Sequence, residues 1–166
     1  YDAFMAAGNG LLGTVEHEIR LEPHAQTRKK AKLRLAVGVE PNVSLIKTHP
    51  GFNAGAFECL VRTGAKGLVV ETYWSTLPTQ RKPIMDLLVN ASRSMPVALT
   101  RDAMDSGCEH DPQCCEKKDA ETLTCCKDML TGTALAKLMW ALSQARNPKK
   151  VRKIMQTNCA GEMSAH

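Results

Sequence analysis

The stretch that decides the fold is KGLVVETYWSTLP, residues 66–78. Leu68, Val69 and Val70 form an unbroken apolar run that passes directly into polar residues, a tryptophan and a proline. A continuous apolar run fits a strand covered on both faces, as in a parallel sheet between helices. In open α/β sheets ligands lie just outside the carboxyl ends of such strands. The hydroxyls of Thr72, Tyr73, Ser75 and Thr76 therefore become candidates for holding a small polar ligand. Thr72, Ser75 and Thr76 are the candidate substrate-binding residues, although no basic residue is tied to any of them to make a nucleophile.

Working outward, the same rhythm recurs. VSLIK (43–47) is a short apolar strand before the turn residues His49, Pro50 and Gly51. Residues 53–63 then carry Phe57, Leu60 and Val61 at helical spacing, and Gly64 is placed to end that helix. After the central strand, Thr79 is a candidate cap for a helix with Pro83 in its first turns and an apolar stripe at Ile84, Leu87, Leu88 and Ala91. PVALT (96–100) is the third strand. Alternating strands and helices with short connections imply right-handed crossovers and a parallel sheet. Further on, Leu135, Leu138, Met139 and Leu142 mark another amphipathic helix, with Met139 and Trp140 read as packing residues. Asn147 and Pro148 then open a last helix that buries Val151, Ile154 and Met155 and leaves its lysines and Arg152 in solvent. The expected architecture is a three-layer α/β domain, flavodoxin- or Rossmann-like, with a short parallel sheet between helices.

The first 40 residues read differently. VEHEIRL (15–21) and KLRLAVGV (32–39) alternate like half-buried strands, the second with Leu33, Leu35 and Val37 on one face. A basic stretch with Pro23 separates them. Residues 1–40 are thus expected to form an irregular two-strand arm, and residues 41–166 the domain proper. The chain starts without an initiator methionine, as a processed or trimmed piece of something longer would.

Composition narrows the function. The chain has 166 residues, 43% hydrophobic and 23% charged, which suits one globular domain. No apolar run approaches the roughly 20 residues of a membrane span, and no signal-peptide pattern is visible. The net charge is +5, with basic clusters at 28–32 and 149–153. No aromatic residues are interleaved with them, so they read as solvated surface and nucleic acid is not an expected partner.

Of seven cysteines, Cys108, Cys114, Cys115, Cys125 and Cys126 crowd into one segment, expected to be an insertion over 107–127. Three readings stand: a zinc site using His110, a disulfide-bearing loop, and a reduced surface loop. Adjacent cysteine pairs do not match the usual zinc spacing, and no metal or other cofactor is expected. The odd total argues against a fully paired framework. With no secretion signal, a reducing intracellular compartment is the expected location. No GxGxxG, GxxxxGK[ST] or GxSxG motif is present.

Four segments in order, VSLIKTHPGF, GAKGLVVETY, KDMLTGTALAKLMWALSQ and MQTNCAGEMS, resemble the C-terminal domain of the L-asparaginase family. The resemblance is nearest to the cytoplasmic type I branch and to the related D subunit of the tRNA-dependent amidotransferase. It covers roughly residues 43–164, and YDAF at the start resembles the exit from the family's N-terminal domain. It implies a domain that packs against a larger N-terminal catalytic domain and helps to build an oligomer. In the family, amide hydrolysis is carried out by threonines, an aspartate and a lysine in GTGGT-like and TDT-like motifs, and neither motif occurs here. No catalytic residue is therefore assigned to this chain. The family's TYGxGN loop reads TYWSTLP, with Trp74 and Thr76 at glycine positions and Leu77 at the asparagine. Its DMT-x-E motif reads DMLTG, with Gly132 at the acid. Glycine admits a close ligand approach that tryptophan blocks. Three expectations follow: an asparaginase-like C-terminal domain working in a parent amide hydrolase, a pseudoenzyme domain with a structural or interaction role, or a D-type amidotransferase subunit.

Overall fold

A computed structural model describes residues 12–23, 25, 32, 34–49, 51–72, 78–101 and 122–163. Its centre is a four-stranded sheet in the order β3-β4-β5-β6, with every neighbouring pair parallel. The strands are β3 (Val43–Lys47), β4 (Gly67–Thr72), β5 (Val97–Arg101) and β6 (Thr124–Cys125). The register sets Val69 of β4 between Leu45 and Ala98.

Alternation along the central strands divides the core in two. Leu68 and Val70 of β4, with Val97 and Leu99 of β5, face the layer of α1 (Ala54–Arg62) and α2 (Pro78–Ser92). Phe57, Leu88 and Ala91 are buried there. Val69 and Ala98 face the layer of α3 (Thr131–Gln144) and α4 (Pro148–Met155), where Leu138, Val151 and Met155 are buried. This is the expected three-layer arrangement, and it explains why β4 is apolar at successive positions.

Local signals place the helices. Asn53 Oδ1 accepts the N–H of Gly55 to start α1, and Gly64 at φ +87° follows its end. Asn147 Oδ1 accepts the N–H of Lys149 at the start of α4, with Pro148 in its first turn. Gly67 permits the layers to close: a Cβ there would lie 2.8 Å from Leu142 Cδ1.

Several expectations are corrected. Thr79 is the second residue of α2 and not its cap, because the helix starts at Pro78. Residues 15–21 do not make one half-buried strand. They form most of an antiparallel hairpin, β1 (Gly13–Val15) and β2 (Ile19–Leu21), with 16–18 as its turn. Val15 and Ile19 pair across it and are 77% and 73% exposed, since no described layer covers them. Leu33 lies outside the described residues, and 34–40 carry no strand, with Gly38 at φ +110°. Side chains of α3 take up that backbone instead. Trp140 Nε1 donates to the Ala36 carbonyl (3.3 Å), Gln144 Nε2 to that of Val37 (2.9 Å) and Ser143 Oγ to that of Gly38 (2.7 Å). Leu35 and Val37 point outward, 83% and 72% exposed. A two-strand antiparallel sheet does precede the domain, but residues 13–21 alone form it.

The cysteine-rich segment also holds a strand that periodicity did not reveal. Thr124 and Cys125 pair with Ala98 and Leu99, and Cys126 is fully buried. A two-residue strand has no period to read. Arg152, expected in solvent, turns inward: its Nη2 donates to the Thr122 carbonyl at 2.6 Å and ties α4 to the start of β6.

Candidate functional site

The carboxyl ends of β3, β4 and β5 and the start of α3 gather four threonines. Thr48 and Thr100 are buried, at 2% and 1% exposure, and Thr72 is half-buried. Thr48 Oγ1 donates to the Glu71 carbonyl (3.2 Å), and the Thr48 N–H donates to the same oxygen (2.9 Å). Thr72 Oγ1 donates to the Thr100 carbonyl (2.9 Å). The hydroxyls of Thr100 and Thr131 lie 2.9 Å apart, and Thr131 Oγ1 also reaches the Arg101 carbonyl at 3.5 Å. Lys47 Nζ pairs with Glu71 Oε1 at 2.6 Å.

Each of these contacts ties a strand end to a neighbouring strand or to the start of α3. A hydroxyl whose proton is given to a carbonyl keeps only its lone pairs for a ligand. Thr72 can therefore accept a hydrogen bond, but its arrangement does not make it a nucleophile, which would need an adjacent base. Ser75 and Thr76, with Tyr73, Trp74 and Leu77, lie outside the described residues. Among the described strands the order contains no reversal, so they do not by themselves form the switch-point crevice that opens ligand sites in doubly wound sheets. His49 behaves as a turn residue: its Nδ1 accepts the N–H of Gly51, and its ring meets Phe52 edge-on at 6.2 Å.

Cys108, Cys114, Cys115 and His110 lie outside the described residues. Among the described residues no group of three or more metal-ligating side chains comes together. Cys59 and Cys159 are exposed.

A second polar centre lies away from the strand ends, and the apolar stripe of α3 concealed it. Lys137 is buried on the inner face of α3 beside Ala134, Leu138 and Ala141, whereas Met139 is only half-buried. Lys137 Nζ donates to the Thr157 carbonyl (2.6 Å) and to Glu162 Oε1. Glu162 Oε1 also accepts the N–H of Cys159 (3.0 Å), and Oε2 accepts that of Ala160 (2.6 Å). Burial alone would raise this carboxyl's pKa. Hydrogen bonds from Lys137, from the N–H groups of Cys159 and Ala160, and from its own N–H outweigh that, and bring it from 4.5 down to about 2. Asn158 closes the loop, accepting the N–H of Gly161 (2.8 Å) and donating to the Met163 carbonyl (2.5 Å), while Met163 enters the core. The TN…GEMS motif thus forms a structural latch on α3. Its signal in the sequence was a lone lysine in an apolar stripe, whose partner is 25 residues away.

Comparison with known proteins is consistent with this geometry. The chain is 32% identical over 130 residues to the D subunit of the glutamyl-tRNA(Gln) amidotransferase of Pyrococcus abyssi, covering 77% of this chain and 29% of that protein. It is 29% identical over 128 residues to an L-asparaginase of Thermococcus kodakarensis, covering 76% of this chain and 39% of the relative. The solved thermostable L-asparaginase of Thermococcus kodakarensis superposes with a TM-score of 0.77 at 25% identity, over 93% of this chain and 48% of that one. L-asparaginase I of Vibrio cholerae shares the fold with a TM-score of 0.79 at 19% identity, over 98% of this chain and 50% of that one. The chain therefore spans at most half the length of these relatives. With a match to the glutaminase/asparaginase C-terminal domain model over residues 42–155, the chain belongs to that family.

Proposed function

We propose that this chain is the C-terminal domain of a parent amide hydrolase acting on L-asparagine, and that bond cleavage is carried out by groups outside it. Residues 1–40 would then be the arm that joins the two parts, and 41–166 the domain with its cysteine-rich insertion at 107–127. The observation that carries this reading is the arm's surface. Leu12, Val15, Ile19, Leu21, Leu35, Val37 and Val39 are each between 58% and 83% exposed. Scattered apolar residues on a surface are normal, but seven on one short arm mark a contact face. The partner is a catalytic N-terminal domain, in the same chain or as a separate polypeptide, and the assembly is an oligomer. Thr72, Ser75 and Thr76 would line the face turned toward the substrate.

No helix among the described residues is long and apolar enough to cross a membrane. Operation in the cytoplasm or another reducing intracellular compartment is part of this proposal. The test is ammonia release from asparagine by the 166-residue chain and by the polypeptide that includes the threonine-bearing domain. Turnover only in the longer polypeptide supports the proposal, and turnover by the short chain overturns it.

Two further readings rest on particular observations. Trp74, Thr76, Leu77 and Gly132, standing where the family has two glycines, an asparagine and an acid, favour a pseudoenzyme domain with an interaction role. An inactive longer polypeptide would select that reading. The amidotransferase relatives favour a D-type role, which would show as activity dependent on charged tRNA.

A further inference from the structure

The charges held against the body of the domain are matched: Lys47 by Glu71, Lys137 by Glu162, and Arg152 by the Thr122 carbonyl. A set of exposed cations is not, and the topology collects it on one edge. Because the strands are parallel, α1, α2 and α3 all end at the amino-terminal edge of the sheet, and α4 begins there. Arg62 closes α1, Lys66 stands directly before β4, and Arg93 follows α2. Arg146 lies between α3 and α4, with Lys149 and Lys150 in the first turn of α4. All six are exposed, and none of their side chains has an ion pair or hydrogen bond among the described residues. Glu58 lies one turn before Arg62 on α1, and Glu40, whose N–H donates to the Met139 carbonyl, has its Oε1 engaged by the Asn42 N–H.

We propose that this amino-terminal edge binds the phosphodiester backbone of a nucleic acid. The six positions are scattered between residues 62 and 150, so the basic clusters in the sequence expose only part of the surface. The cations belong to all three layers, and packed layers lie about 10 Å apart. That spread suits a row of phosphates better than a single acidic side chain. Within the helix ends and the Lys66 turn themselves no large apolar side chain is exposed, and the exposed Val37 lies to one side, where Gln144 holds its carbonyl. The charged part of the edge therefore has no apolar anchor of the kind found at the centre of a protein interface. The absence of aromatic residues there limits recognition to backbone contacts, without base reading. The inference does not depend on the amide-hydrolase reading.

The test is fluorescence anisotropy of the full chain with a labelled 20-nucleotide RNA hairpin and a 20-base-pair DNA duplex, probes of about two helical turns or less. If four or five phosphates are neutralised, affinity for the duplex should fall about 150- to 500-fold between 50 and 200 mM salt. Reversing Lys66, Arg93 and Lys150 together to Glu should cut binding at low salt at least about 10-fold and roughly halve the salt slope. Reversing the exposed Lys127, which follows β6 at the opposite, carboxyl-terminal edge, should preserve the slope. Neutralising the first three to Gln, with circular dichroism to confirm the fold, gives the same answer should reversal unfold the chain. Preference for one probe identifies the nucleic acid. No binding at 50 mM salt, a loss from Lys127→Glu equal to that of the triple variant, or displacement by polyglutamate in preference to both nucleic acids would overturn the proposal.

Discussion

Replacing Glu162 by Gln removes the charge at the centre of the C-terminal latch while keeping its shape. The carboxyl titrates at about 2 in the folded chain against an ordinary 4.5. At about 1.4 kcal/mol for each pH unit, that difference contributes about 3 kcal/mol. The folded value is the depressed one, so this stability is fully present above pH 4.5 and drains away as pH falls toward 2. Seen from the other partner, the variant leaves the buried Lys137 ammonium with the Thr157 carbonyl, and breaking a buried pair from one side typically costs about 3–5 kcal/mol. Both figures describe the same pair and are not added. The assay is urea denaturation of both proteins across that pH range. The wild type should be more stable at neutral pH by about 3 kcal/mol, with the two curves converging as the acid limit is approached. Adding Lys137→Met should recover part of the loss, because it removes the stranded charge. A gap below about 1 kcal/mol at neutral pH, or one that does not change with pH, would refute the reasoning.

Gly67→Val should destabilise by about 1–3 kcal/mol, because the new side chain meets Leu142 and Leu138, and the urea midpoint reports it. Gly132→Ala meets nothing within 4 Å and should hold or gain up to about 1 kcal/mol in the same measurement. Asn147→Ala removes the cap on the Lys149 N–H and should cost about 1 kcal/mol, with Asn147→Ser nearly neutral. Lys47→Ala breaks a pair whose lysine is 56% exposed, and should change stability by less than about 1 kcal/mol, with the difference shrinking in high salt.

Features written in neighbouring residues were legible without a structure. The apolar run 68–70, the helical stripes through Phe57 and Leu88, the Asn-Pro start at 147–148 and Gly64 each depend on chain geometry within a few residues. Those local rules specify three parallel strands, four helices and the layer order. The hairpin was misread because alternation signals a face suited to burial, and whether anything covers that face is decided elsewhere. Of the candidate site, Thr72 could be named at a strand end, but its commitment to the Thr100 carbonyl depends on register.

The remaining features arise between residues far apart in the chain. Lys137 in an apolar stripe is unfavourable until Glu162 reaches it across 25 positions. Thr124 and Cys125 become a strand only because β5 offers an open edge. Six cations become one surface only because parallel strands return each helix to the same side of the sheet. Backbone preference and side-chain period act over a few residues and are carried by the sequence alone. Desolvation and charge pairing depend on what the folded chain brings alongside, and only the tertiary structure supplies that.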